Sequence, residues 1–97
     1  MHAAQVLETL KTQRLKHIPG YLSVYCNEGF TIIDQLVLAV TGKSYTQFVQ
    51  DEILTPLGMA HSRFCLESFP DGSFAKRHEG DTPQPQMFIN DFASGGL

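Results

Sequence analysis

Asn27-Glu28-Gly29-Phe30-Thr31-Ile32-Ile33-Asp34-Gln35-Leu36-Val37-Leu38-Ala39-Val40-Thr41-Gly42 is the stretch on which the fold turns. Phe30, Ile33, Leu36, Val37 and Val40 recur at three- and four-residue spacing, the pattern of one helix face. Ile32 and Leu38 widen that stripe, which predicts a helix buried on most of its sides. Asn27 is a good N-cap, because its side-chain oxygen can accept from the unpaired amides of the first turn. Gly42 sits where a left-handed residue closes a helix.

Outward from Gly42, Ser44 opens a third helix and forms the capping-box pattern with Gln47. Tyr45, Phe48, Val49 and Ile53 give its core face, Pro56 stops it, and Leu57-Gly58-Met59 reads as a tight packing corner. Outward from Asn27, Tyr21 to Tyr25 is a short aromatic and β-branched run, predicted to be extended. Before it, Pro19-Gly20 ends a first helix over Ala3 to His17, whose apolar residues are Val6, Leu7, Leu10 and Leu15. Beyond His61 the character changes: Pro70-Asp71-Gly72 and Glu79-Gly80-Asp81-Thr82-Pro83 are turns, with a strand candidate over Phe74 to His78 between them.

The fold class expected is mainly α with little strand and an irregular C-terminal third. Residues 1–59 are the helical part and residues 60–97 the loop-rich part of a single domain. The chain has 97 residues, 42% apolar and 18% charged, with a net charge of −3. That composition is globular, and the charge argues against nucleic-acid binding, which needs a concentrated basic surface. The basic cluster Lys11, Arg14 and Lys16 lies near Glu8 and reads as a solvated helix face. No run approaches the ~20 apolar residues of a membrane span. The N-terminal residues lack the basic start and apolar run of a secretion signal, and the compartment stays open. Cys26 and Cys65 are too few for a disulfide framework and read as separate, mostly buried thiols. The four histidines show no metal-ligand spacing, so no metal site is expected.

Ser73-Phe74-Ala75-Lys76 has the spacing of a serine nucleophile and its lysine base. On a helix, serine and lysine at i and i+3 share a face, and the amine can take the hydroxyl proton. Six serines and four lysines produce this spacing by chance at roughly a quarter of an occurrence, and the turn at Pro70-Asp71-Gly72 spoils the approach. Ser73 is therefore read as a decoy.

Tyr25-Cys26-Asn27 gains meaning from its neighbours. Pro19-Gly20, Tyr25-x-Asn27-x-Gly29-Phe30, Val40-Thr41-Gly42-Lys43-Ser44-Tyr45 and Ile53-Leu54-x-Pro56-Leu57-Gly58-Met59 follow one another. In that order they resemble the class C β-lactamase family of serine hydrolases, which also holds penicillin-binding proteins, D-amino-acid peptidases and esterases. The tail Phe92-Ala93-Ser94-Gly95-Gly96-Leu97 is similar to the family's small-residue segment. Each motif is weak alone, and their order makes the resemblance specific. It implies the helical region of a β-lactamase/transpeptidase-like α/β fold, with acyl transfer through a serine and no metal or organic cofactor. In such enzymes the tyrosine of Tyr-x-Asn assists proton transfer between serine, lysine and leaving group; here it would be Tyr25. A phenol titrates near ~10 and needs neighbouring cations to act as a base near neutrality. Asn27 would orient the lysine and donate to the substrate's carbonyl, a role that competes with capping a helix.

The departures are equally plain. The family's S-x-x-K precedes Tyr-x-Asn by tens of residues, whereas 24 residues precede Tyr25 and none is a serine followed by x-x-Lys. The late K-T-G or H-x-G strand would come after Leu97. The expectation is an internal fragment holding one of three catalytic segments, inactive alone, with its small-molecule or peptide substrate bound only in the complete enzyme. Such a piece would expose apolar surface and could self-associate through it. The competing expectation is an independently folded helical protein-interaction module without catalytic activity.

Overall fold

The apolar run after Asn27 forms a helix of fifteen residues in the computed structural model, which describes residues 3–89 and 92–97. The elements are α1 (Ala3–Leu10), α2 (Asn27–Thr41), α3 (Tyr45–Val49) and a π turn (Gln50–Leu54) running on from α3. A short antiparallel hairpin follows, β1 (His78–Glu79) paired with β2 (Thr82–Pro83). The protein is mainly helical with little strand, as the residue pattern predicts.

Both ends of α2 have local causes. Gly42 adopts φ 71°, which costs a side chain-bearing residue steric strain, and its N–H donates to the Leu38 carbonyl at 2.9 Å. At the other end the N-cap is Cys26, in extended geometry, and Asn27 is already helical. The expected Asn27 cap is therefore off by one residue: preference for Asn at caps is outweighed by where the backbone leaves the extended region. Inside α2, Thr31 is buried and returns its hydroxyl to the Asn27 carbonyl at 3.2 Å.

Four further expectations are corrected. The first helix ends at Leu10, not His17, and closes in tight turns in which Thr12 and Gln13 amides donate to the Thr9 and Leu10 carbonyls. Leu15 then has no helix face to occupy and is exposed. The capping box is half made: Ser44 accepts from the Gln47 amide at 3.3 Å, but Gln47 returns no side-chain bond among the described residues. Ile53 does not join the core. The π turn bonds Thr55 N–H to the Gln50 carbonyl at 3.0 Å, and this wider ring turns Leu54 inward at 2% exposure and Ile53 outward. Leu57 and Met59 are also exposed, so the corner after Pro56 turns without packing.

The core lies where α3, the π turn and the irregular segment meet. Val49, Leu54 and Phe64 are buried together, with Tyr45 and Phe92 against them. Phe64 meets Tyr45 and Phe92 edge-to-face at 5.9 and 5.5 Å, a favourable arrangement of ring quadrupoles. The small-residue tail is tied in by the Cys65 amide donating to the Gly96 carbonyl at 3.2 Å. Gly96 has φ 101°, and a Cβ there would lie 3.4 Å from Phe92 Cδ1. Lys43 joins the α2–α3 connection to the π turn through Glu52 at 2.8 Å and Asp51 at 3.3 Å. Those carboxylates, Glu52 first, hold the Lys43 ammonium above the usual lysine range.

Alpha2 is not buried on most sides, contrary to its apolar sequence. It packs against α1 and α3, yet Leu36 is 58% and Val40 75% exposed, with Phe30, Ile32, Ile33 and Leu38 also open to solvent. The whole chain shows the same excess. Its accessible surface is 7662 Å², against about 5,500 Å² for a compact folded chain of this mass. Its radius of gyration is 16.5 Å, where compact packing gives about 13 Å. The two thiols are likewise less covered than expected: Cys26 is exposed and Cys65 half-buried, and both are free.

Candidate active site

The Tyr25 segment is shaped by what flanks it. Pro19-Gly20 makes a tight turn, with the Tyr21 amide donating to the Ile18 carbonyl at 3.1 Å. The chain then runs unpaired from Leu22 to Cys26 and enters α2 at Asn27. Tyr25 and Asn27 thus stand on the two sides of an extended-to-helix junction. Tyr25 is 76% exposed, and its ring lies 6.0 Å from Phe30 at a tilt of 38°.

Tyr25 and Phe30 border an open depression of about 430 Å³, lined by residues 23–26 together with Gly29, Phe30 and Ile33. Tyr25 faces it and Asn27 is not part of its lining. The exposed amide of Asn27 makes no hydrogen bond through its side chain among the described residues, so helix capping no longer competes for it. Cys26, between the two, donates its thiol to Glu28 at 3.0 Å. That bond is the main reason the Glu28 carboxyl sits below its ordinary range; its own backbone amide and the charge of Lys16 act the same way. A carboxylate in the first turn of α2 also suits the positive end of the helix dipole.

The Ser73–Lys76 pattern dissolves in three dimensions. Its stretch is not helical. The Ser73 hydroxyl donates to the Pro70 carbonyl at 2.6 Å, while Lys76 pairs with Asp71 at 3.1 Å. Serine and lysine are each committed elsewhere, and neither activates the other. Among the described residues no group of three metal-ligating side chains converges, and no helix is long and apolar enough to cross a membrane.

Sequence reasoning did not find the concave region beside Arg63. Arg63 lies over the Phe69 ring at 4.5 Å, and Phe69 meets Phe74 edge-to-face at 5.6 Å. The only hint is three aromatic or cationic side chains clustered around Pro70-Asp71-Gly72.

The geometry is thus a helical body with an exposed tyrosine at the rim of an open depression. The family model described as Beta-lactamase matches residues 1–96. The chain belongs to that family of serine hydrolases. Among curated proteins, the D-alanyl-D-alanine-carboxypeptidase/endopeptidase AmpH of Escherichia coli (strain K12) is 34% identical over 55 residues, 57% of this chain and 14% of that protein. Protein flp of Staphylococcus aureus (strain MW2) is 31% identical over 80 residues, 80% of this chain and 16% of its own length. Penicillin-binding protein 4 of Amycolatopsis lactamdurans is 30% identical over 70 residues, 69% of this chain and 18% of that protein. The chain thus spans about one-seventh to one-fifth of the length of these relatives. No solved structure matches.

Proposed function

We propose that this chain is part of a single β-lactamase-type catalytic domain and supplies the Tyr-x-Asn wall of its acyl-transfer site. The observation that carries this reading is Tyr25 at the rim of the depression, inside a family match that runs from residue 1 to 96. Tyr25 is the proton-transfer residue: its phenol passes the proton from the attacking serine towards the leaving group. Asn27 stands just outside the lining of the depression, and its assigned role, donating its side-chain amide to the substrate carbonyl and holding the lysine partner of the serine, rests on the family resemblance. The substrate is an amide, lactam or ester, attacked to give an acyl-enzyme that water then hydrolyses.

The nucleophile and the opposing cleft strand come from outside these 97 residues, because the one S-x-x-K here has its serine and lysine bound to Pro70 and Asp71. The exposed flank of α2 and the surplus of roughly 2,000 Å² of surface over a compact chain support the same reading. That surplus is well above the ~800 Å² each partner buries in a standard interface, so it suits cover by the bulk of a domain better than a small contact.

Incubation with a fluorescent penicillin and with a fluorophosphonate, followed by intact mass, tests this directly. The 97-residue chain is expected to stay unlabelled, and a stoichiometric adduct on Ser73 would overturn the assignment. In the complete enzyme, Tyr25→Phe is expected to lower kcat by roughly a hundred- to ten-thousand-fold with little change in KM. An unchanged kcat removes Tyr25 from the mechanism. The interaction-module reading rests on the same exposed α2 face; a discrete, tight dimer of the 97-residue chain would favour it.

A further inference from the structure

We infer that the pocket between Ala60–Arg63 and Phe69–Phe74 binds a small carboxylate carried on a flat apolar body. It is separate from the Tyr25 depression and encloses about 220 Å³, lined by Ala60, His61, Arg63, Phe69, Ser73 and Phe74. In a chain of net charge −3 this pocket has a guanidinium and an imidazole in its wall and no carboxylate.

The arginine is held without being neutralised. It stacks over Phe69 at 4.5 Å, and its N–H groups meet no acceptor among the described residues. A stacked guanidinium keeps its fork of donors free for bidentate contact with a carboxylate. His61 likewise has no hydrogen-bond partner among the described residues, so its ring N–H is a second available donor. Asp51 and Glu67, which line a neighbouring concavity together with Arg63, form no ion pair with it among the described residues, and Asp71 is paired with Lys76 at 3.1 Å.

The apolar half of the wall is also fixed. Gln86 clamps the loop that carries Phe69: its Oε1 accepts from the Phe69 amide at 2.8 Å and its Nε2 donates to the Glu67 carbonyl at 2.9 Å. Phe74 then braces Phe69 edge-to-face at 5.6 Å. Ser73 holds the turn through its amide and hydroxyl, both given to the Pro70 carbonyl. A wall that combines the Phe69 and Phe74 rings with the Arg63 and His61 nitrogen donors suits a planar ligand that carries a negative charge. Pre-set walls of this kind reduce the ordering cost of binding.

Benzoate is the probe and benzamide its neutral isostere. Titrated into the 97-residue chain and followed by NMR, benzoate is expected to shift the Arg63 Nε–H and His61 ring signals saturably. Benzamide should bind at least roughly tenfold more weakly, since it loses the charge-assisted bond. Arg63→Gln should weaken benzoate by a similar factor, and His61→Gln, which leaves the Arg63–Phe69 stack in place, should weaken it as well. The His61 variant decides the matter if Arg63→Gln disturbs the loop. Absence of saturable shifts, equal binding of benzamide, or unchanged affinity in the His61 variant would overturn the inference.

Discussion

Cys26 holds the position that decides how α2 begins, and it does so with a poor capping side chain. Its backbone is extended, and its thiol donates to Glu28 instead of accepting from the helix amides. Cys26→Ser therefore puts a true capping oxygen at that place and is expected to stabilise the chain by about 0.5–1 kcal/mol in urea denaturation. Cys26→Ala should instead let the Glu28 carboxyl rise towards its ordinary value, because the thiol bond is the largest cause of its lowering. The sign follows: a depressed carboxyl adds stability above the unfolded pKa, and that addition disappears as pH falls through the lower folded value. An NMR titration of Glu28 in both proteins reads the shift, and an unchanged Glu28 curve in the alanine variant would refute the cause assigned. Residue preference could not have located this cap. Asn27 has the better capping chemistry, but the choice is made by φ and ψ one residue earlier, which a side-chain pattern does not record. The same limit applies to Tyr25: its chemistry came from resemblance in the sequence, and only the fold places it on a depression and leaves Asn27 outside it.

At the scale of elements, the third helix shows where helical periodicity stops being a guide. Spacing assigned Ile53 to the core with Tyr45, Phe48 and Val49, which holds only while each turn has the same width. Pro56 has no N–H to give to the turn before it, so an α-type ladder cannot run through it. The chain instead closes a wider ring from Thr55 to Gln50, and the inward position passes to Leu54. The presence of a stop at Pro56 was legible; the phase shift it brings was not. Paired truncations measure that shift. Leu54→Ala, at a site 2% exposed, is expected to cost about 2–5 kcal/mol by lost burial and a cavity. Ile53→Ala, at a site 43% exposed, should cost less than about 1 kcal/mol. The reverse order in urea melts would mean that α3 continues as a regular helix. By contrast α2 was legible from Phe30 to Gly42, because its stripe is long and its closing glycine is independent of packing. The pocket around Arg63 was not legible, since Arg63, Phe69, Phe74 and Gln86 are brought together by loops with no period.

For the whole molecule, the informative conflict is between the sequence of α2 and its surroundings. A helix apolar on nearly all sides belongs inside a protein, yet Leu36 and Val40 stand largely in water. Monomers seldom leave a large contiguous apolar patch uncovered, so such a face marks a missing contact. The proposal that the rest of a β-lactamase-type domain covers it makes opposite predictions for the two forms of the protein. In the 97-residue chain, the double substitution Leu36→Lys and Val40→Lys replaces solvent-facing groups. It should change stability by less than about 0.5 kcal/mol per site while reducing dye binding to exposed apolar surface and raising solubility. In the complete enzyme the same lysines would be driven into packed apolar surroundings. Burying two unpaired charges there should cost several kcal/mol, enough to lower the melting temperature by several degrees and reduce activity. Equal tolerance in both forms, read by calorimetry and dye fluorescence, would show that α2 faces water in the assembled protein too. In that case the exposed stripe would be a surface for another molecule, and the reading that the rest of the domain covers α2 would fall.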